Sequence, residues 1–121
     1  MAEGAHGRVA TVGSHAGVKL INAAVATSAA PTNATKPLMA EAVGYDSWTF
    51  VVDTLVAFVA TVTFWGTISD PAGTVFVWFP LGTLTNAMTA PLTYGGPLTG
   101  VFANVSAYTS GTVNAYAFVT K

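Results

Sequence analysis

The sequence predicts an all-β fold, an antiparallel β-sandwich or jelly roll with an extended N-terminal arm. Three observations carry that expectation. From Tyr45 to Thr120 the chain alternates with a period of two and is rich in Val, Thr, Phe, Trp and Tyr, the residues that suit a pleated, half-buried surface. The alternating runs are short and are separated by Gly, Pro, Asn and Asp clusters that favour turns. No segment carries a clear helical period. Six to eight strands at short spacing fit a sandwich or jelly roll better than an α/β fold.

The first 16 residues are mostly Gly, Ala, His and Ser, with Glu3 and Arg8 among them. They have little to bury alone and read as an arm. GVKLINAAVATS (17–28) reads as a first strand, with Val18, Leu20 and Ala24 on one face and Lys19, Ala23 and Thr27 on the other. AAPTNATKP (29–37) is a loop between two prolines, and LMAEAV (38–43) is short, strand or helical turn. Residues 1–40 are thus expected to be an arm with a possible first strand, and 41–121 a sandwich domain.

The β text then becomes plain. In SWTFVVD, Trp48, Phe50 and Val52 point one way. In VAFVATVTFWGTI, Val56, Phe58, Val62 and Phe64 share a face that Gly66 and Ile68 continue, while Val59, Thr61, Thr63, Trp65 and Thr67 take the other. SDPAG (69–73) is a turn: Asp70 can bond its own backbone, Pro71 presets φ and Gly73 can supply a positive φ. TVFVWF (74–79) follows at once, which predicts a hairpin whose second strand is apolar on both faces. Residues 80–100 read as a loop-rich connection with a short strand at Pro91–Tyr94. VFANVSAY (101–108) puts Val101, Ala103, Val105 and Ala107 on one side, with Phe102, Asn104, Ser106 and Tyr108 opposite. TSG (109–111) turns, and TVNAYAFVT (112–120) points Val113, Ala115, Ala117 and Val119 inward.

Composition narrows the function. Asp70 is the sole formal charge in residues 55–120, where a soluble exterior normally carries many. That surface must be neutral and polar, or face other protein. A net charge of −1 gives no basic footprint for nucleic acid. The absence of cysteine excludes disulfides and thiolate metal sites. Apolar runs stop well short of the roughly 20 residues of a membrane-spanning helix. No apolar leader segment is visible at the N-terminus, so folding in a cytoplasm is expected.

Residues 56–120 resemble a group of small tailed-phage virion proteins. These share a text of the form "fTATVTFEGSxDGTxW" and a closing "YxRANVTAYTSGTVTVY". Here the first reads FVATVTFWGTISDPAGTVFVWF (58–79) and the second GVFANVSAYTSGTVNAYAF (100–118). The resemblance implies a β-sandwich or jelly-roll module of phage heads or tails, packed in many cases as a trimer. The acidic residue usual after the TVTF strand is Trp65 here, the Arg usual before the ANV triplet is Phe102, and the short turn is lengthened to SDPAGT. Two charged positions have become aromatic, in keeping with an apolar contact.

Candidate chemistry is sparse. His6 and His15 lie nine apart in the arm and would need other chains to hold a metal. Asp46 and Asp53 flank a strand, as strand-end and turn residues do; paired carboxylates otherwise suit glycosidases. Among Glu3, Glu41 and Asp70 they find no cleft partner. No GxSxG elbow accompanies the serines, no His follows position 15, and neither Val12-Gly13-Ser14 nor Gly95-Gly96-Pro97 has a phosphate-loop context. No catalytic residue, metal ligand or cofactor is therefore expected, and the chain is not expected to be an enzyme. Trp65, Trp78, Phe79 and Phe102 read as core, as an oligomer interface or as a sugar-stacking platform, with Tyr108 and Tyr116 able to join them. Trp65, on the polar face of its strand, is the foremost candidate for an external contact.

These readings lead to a structural protein of the virion, a capsid decoration or cement protein assembled in the host cytoplasm. Its expected partners are copies of itself, a trimer being favoured, and the major capsid protein, with residues 1–40 lying along neighbouring subunits. Nucleic acid and membrane are not expected partners. The rivals are a tail or head fibre module that binds a host glycan and a carbohydrate-binding module of no virion.

Overall fold

A computed structural model of the chain describes residues 10–12, 15–37, 47–70, 72–88 and 90–120. The elements are β1 (Ala10–Val12), β2 (His15–Ala24), β3 (Ser47–Val52), β4 (Phe58–Thr67), β5 (Trp78–Thr85), β6 (Leu92–Gly95), β7 (Gly100–Gly111) and β8 (Val113–Thr120), with no helix among the described residues. They form two antiparallel sheets, ordered β1-β2-β8-β3-β6 and β5-β4-β7. The fold is all-β and compatible with the expected sandwich.

The alternation seen in the sequence builds the interior. Trp48, Phe50 and Val52 of β3, together with Val113, Ala115, Ala117 and Val119 of β8, face Phe58, Ala60, Val62 and Phe64 of β4 and Val101, Ala103 and Val105 of β7 in one cluster. Small residues on β8 leave room for the large ones: Phe50 stacks on Trp48 at 6.4 Å and tilts against Phe64 at 5.1 Å. The Trp48 indole Nε1 is buried without an acceptor among the described residues, so packing alone holds that ring.

Several strands depart from the sequence expectation, each for a physical reason. The hairpin after β4 is open, since β5 begins only at Trp78 and continues through Pro80 to Thr85. Proline is tolerated there because β5 is an edge strand. Residues 74–77 form the end of a long loop, so Val75 and Val77 are exposed while Phe76 is buried. Serine and threonine stabilise that loop. The buried Thr67 hydroxyl donates to Ser69 Oγ (3.0 Å), Ser69 Oγ accepts from the Val77 amide (2.9 Å), and Thr99 Oγ1 donates to the Ser69 carbonyl (2.6 Å). Asp70 turns the chain as expected: its Oδ1 accepts from Ala72 N at 2.9 Å and its carbonyl from Gly73 N at 2.9 Å. Gly73 does this without a positive φ. Val56 and Ile68 fall outside β4 and are exposed instead of continuing its buried face.

Two irregularities in the β4–β7 pairing, between Val59 and Ala60 and between Thr61 and Val62, change which residues of β7 face inward. Ser106 is skipped, and this one-residue slip turns the following side chains over until a second skip at Thr109 turns them back. Ala107 is therefore exposed, and Tyr108, expected on the outer face, packs against the core opposite Ala60. The expected turn at 109–111 lies within β7. The chain instead passes from one sheet to the other at Gly111 and Thr112. Gly111 has φ +87°, and a Cβ on it would collide with the Ala57 carbonyl and Phe58 Cα.

The expected arm is in large part integral to the sandwich. The strand expected over 17–28 is β2, His15–Ala24, which starts two residues earlier and ends four earlier, and it pairs with β8 in the interior of the five-stranded sheet. Irregularities after Lys19 and Ile21 let Val18, Leu20 and Ile21 all contribute to the core side. The expectation that residues 1–40 as a whole lie along neighbouring subunits is corrected for 15–37, which are bound to their own module. The undecided segment 38–43, Asp46, Glu41, Glu3 and His6 lie outside the described residues, as does the boundary at 40/41.

Candidate functional site

After β2 the chain crosses to the other sheet as a strap, residues 25–37, over the outer face of β4, β5 and β7. On that face period two has placed Trp65 and Phe102 as a cross-strand pair, with Trp78 next to them opposite Thr67. Trp78 tilts against Phe102 at 5.9 Å. Three anchors fix the strap. Ser28 meets the free edge of β7, its amide donating to the Val105 carbonyl (3.0 Å) and its hydroxyl accepting from Val105 N (2.9 Å). Asn33 pairs with Phe76 through the Phe76 amide to Asn33 carbonyl bond (2.8 Å) and the Asn33 Nδ2 to Phe76 carbonyl bond (2.9 Å). Trp78 Nε1 donates to the Thr35 carbonyl at 3.2 Å.

Asn104 joins strap and sheet. Its buried amide accepts from Trp65 Nε1 at 2.8 Å through Oδ1 and donates through Nδ2 to the Ser28 carbonyl at 3.0 Å. Only one orientation of the amide satisfies both partners. The residue is polar, poorly suited to a strand by propensity, and sits mid-strand; that mismatch was the one sequence signal for its role. Nothing in the sequence pointed to Ser28, Pro31 or Asn33.

Between strap and sheet lies an open recess of about 150 Å³ lined by Pro31, Thr32, Asn33, Trp65, Phe76 and Trp78. None of the described lining residues is ionisable. Both indole N–H groups are engaged by the chain itself, so the two Trp rings are held in place before any ligand arrives. No protein-family model matches the chain, and neither a curated protein nor a solved structure is detectably similar to it.

The sequence-predicted aromatics thus divide. Trp65, Trp78 and Phe102 come together on the strapped face. Phe79 turns the other way, against Tyr94 at 6.4 Å, where β5 approaches β6 at the margin of the core. Tyr108 donates its hydroxyl to the Gly111 carbonyl at 2.7 Å, bracing the corner. Tyr116 lies on the outer face of the five-stranded sheet, stacked on Phe118 at 6.2 Å with the Lys19 ammonium 5.4 Å from its ring centre. A second, smaller hollow of about 60 Å³ is lined by residues including Val51, Leu84, Met88 and Pro91. Among the described residues no cluster of three or more His, Asp or Glu could hold a metal ion, and no helix is long and apolar enough to cross a membrane.

Proposed function

We propose that the chain is a non-catalytic structural protein of a virion, a capsid decoration or cement protein that works by binding copies of itself and the major capsid protein. One observation supports this most. Of the nine exposed large apolar residues among those described, five lie in the two connections at the ends of β4, Leu55 (96% exposed) and Val56 at one end and Ile68, Val75 and Val77 (63–65%) at the other, with Val59 next to them in β4 itself; Val25, Met88 and Phe118 lie elsewhere. Apolar side chains concentrated in loops, where polar residues usually dominate, mark contact surfaces. Each 100 Å² of apolar surface they bury would contribute on the order of 2.5 kcal/mol before ordering costs. Asp53 and Asp70 are the only charges within residues 53–78, so contacts made by these apolar side chains depend little on salt.

Sedimentation equilibrium and native mass spectrometry test the reading. The expected result is a trimer at micromolar concentration that persists in about 1 M salt, where the Debye length is near 3 Å. Leu55→Asp and Val75→Asp, at side chains 96% and 65% exposed in the monomer, are expected to shift it to monomer without loss of fold. A parent chain that is monomeric and ignores empty capsids would count against self-assembly and cement roles together. The glycan-binding rival is favoured by one feature, the recess between Trp65 and Trp78.

A further inference from the structure

We propose that this recess binds a single neutral six-membered sugar ring. The inference goes beyond the assembly reading and is independent of it, because the recess shares no residue with the apolar loop ends Leu55, Val56, Val59, Ile68, Val75 and Val77.

Size comes first. About 150 Å³ is several times the ~30 Å³ share of one water and below the ~300 Å³ of a site for a drug-sized molecule. It has room for one ring. Chemistry comes second. A hexopyranose is amphipathic, with patches of C–H that lie against aromatic faces and a belt of hydroxyls that must be hydrogen-bonded. The lining supplies both: the half-buried Trp65 and Trp78 as aromatic walls over the buried Phe76, and Thr32 and Asn33 at the strap side. The Asn33 amide donates to the Phe76 carbonyl through Nδ2, while its Oδ1 accepts no hydrogen bond from the described residues. A hydroxyl is the natural donor to it. Charge comes third. Among the described residues no ionisable side chain lines the recess, so a carboxylate, phosphate or ammonium group would lose hydration with no counter-charge from them. A neutral ligand is selected by that cost.

Preorganisation comes last. Trp65 is held by Asn104 and Trp78 by Thr35, and the strap that forms the third wall is fastened on both sides of the recess, at Ser28 and at Asn33. Binding therefore orders few side chains. One ring still offers little contact area, so the expected affinity is on the order of millimolar.

The test is a titration of the full chain with the methyl glycosides of glucose, galactose, mannose and N-acetylglucosamine, followed by the indole N–H resonances of Trp65 and Trp78. Saturable shifts with at least one glycoside are expected, confined to these two indoles and the strap amides. Asn33→Ala, which keeps the Phe76–Asn33 backbone bond, should weaken binding about tenfold, as a lost hydrogen bond of about 1.4 kcal/mol does. Trp65→Ala should abolish it, and Phe118→Ser on the opposite sheet should leave it unchanged. If Trp65→Ala fails to fold by its amide spectrum, Asn33→Ala alone decides. The proposal is overturned if no glycoside shifts the indoles up to about 50 mM, some tenfold above the weakest expected affinity. It is equally overturned if Asn33→Ala binds like the parent, or if a proline dipeptide occupies the recess more tightly than every sugar. Because the readout is local, a failure here leaves the oligomer measurement standing, and the reverse also holds.

Discussion

The outer faces of the two sheets meet the same problem, large aromatic rings on a charge-poor surface, and solve it differently. On the β5-β4-β7 face, Trp65, Trp78 and Phe102 lie half-buried beneath a strap held by at least six hydrogen bonds. On the face of β8, Tyr116 and Phe118 are stacked in the open, Phe118 47% exposed, with Lys19 as the nearest charge. The difference lies in the side chains that neighbour the rings. A covered indole N–H left unpaired costs free energy, and here, unlike at Trp48 in the core, Asn104 and Thr35 pair both. Phe118 has no polar atom to satisfy, so it needs no cover and lies on Gly17. The strapped face consequently carries a recess walled by its rings, while the β8 face leaves Phe118 exposed.

The severest perturbation is expected where the two faces join. Gly111→Ala forces a Cβ into the Ala57–Phe58 backbone at φ +87°, combining a left-handed residue with a backbone clash. A loss of about 4 kcal/mol or more, read by urea denaturation, is expected; it would unseat both sheets together and erase the contrast between faces. Asn104→Leu should act on one face only. It leaves Trp65 Nε1 and the Ser28 carbonyl without partners, for a loss of about 2–3 kcal/mol. Amide exchange should accelerate at Val105, whose partner is Ser28, and stay unchanged at Ala117 on the bare sheet. Equal acceleration at both sites would mean that the strap is not an independent element. Ala23→Gly should have the opposite sign. Ala23 sits at φ 56° where β2 ends and the strap begins, with its amide donating to the buried Asn114 side chain at 3.0 Å. Left-handed geometry costs a non-glycine residue about 1–2 kcal/mol, and glycine returns part of that as unfolded-state entropy. A net gain of roughly 0.5 kcal/mol is expected.

The contrast also explains what could be read from sequence. Buried faces were legible because period two needs only local information: Trp48, Phe50 and Val52 in β3 and the four small residues of β8 fell as expected. Slips were not legible. The irregularity at Ser106 that turns Tyr108 inward leaves no mark in VSAYTSG, whose residue types suit either face. The same holds for TVFVWF, whose strand propensity is outweighed by Phe76 entering a pocket under the strap and by the Ser69–Val77 bond. At the site, the aromatic half was visible from residue type alone. The polar half, Ser28, Asn33 and Asn104, depends on contacts between residues 43 to 77 positions apart, and no local pattern encodes such a meeting.

The smallest expected effect tests the bare face most finely. Gly17 pairs with Phe118 across β2 and β8, and a Cβ on Gly17 would stand 2.8 Å from Phe118 Cδ1 and 3.0 Å from Cε1. The obstacle is the outer end of an exposed side chain, not backbone, so in Gly17→Ala the ring can swing away. Losing the ring–backbone contact costs a few tenths of a kcal/mol, and alanine's smaller unfolded-state entropy offsets about as much. Stability should therefore change by less than about 0.5 kcal/mol in either direction. The informative readout is the ring-current shift of the Gly17 Hα protons, large in the parent and lost in the variant. If instead Gly17→Ala destabilises the protein by about 2 kcal/mol, as filling a covered site does, then Phe118 is held as firmly as Trp65, and the two faces differ only in which residues cover their rings.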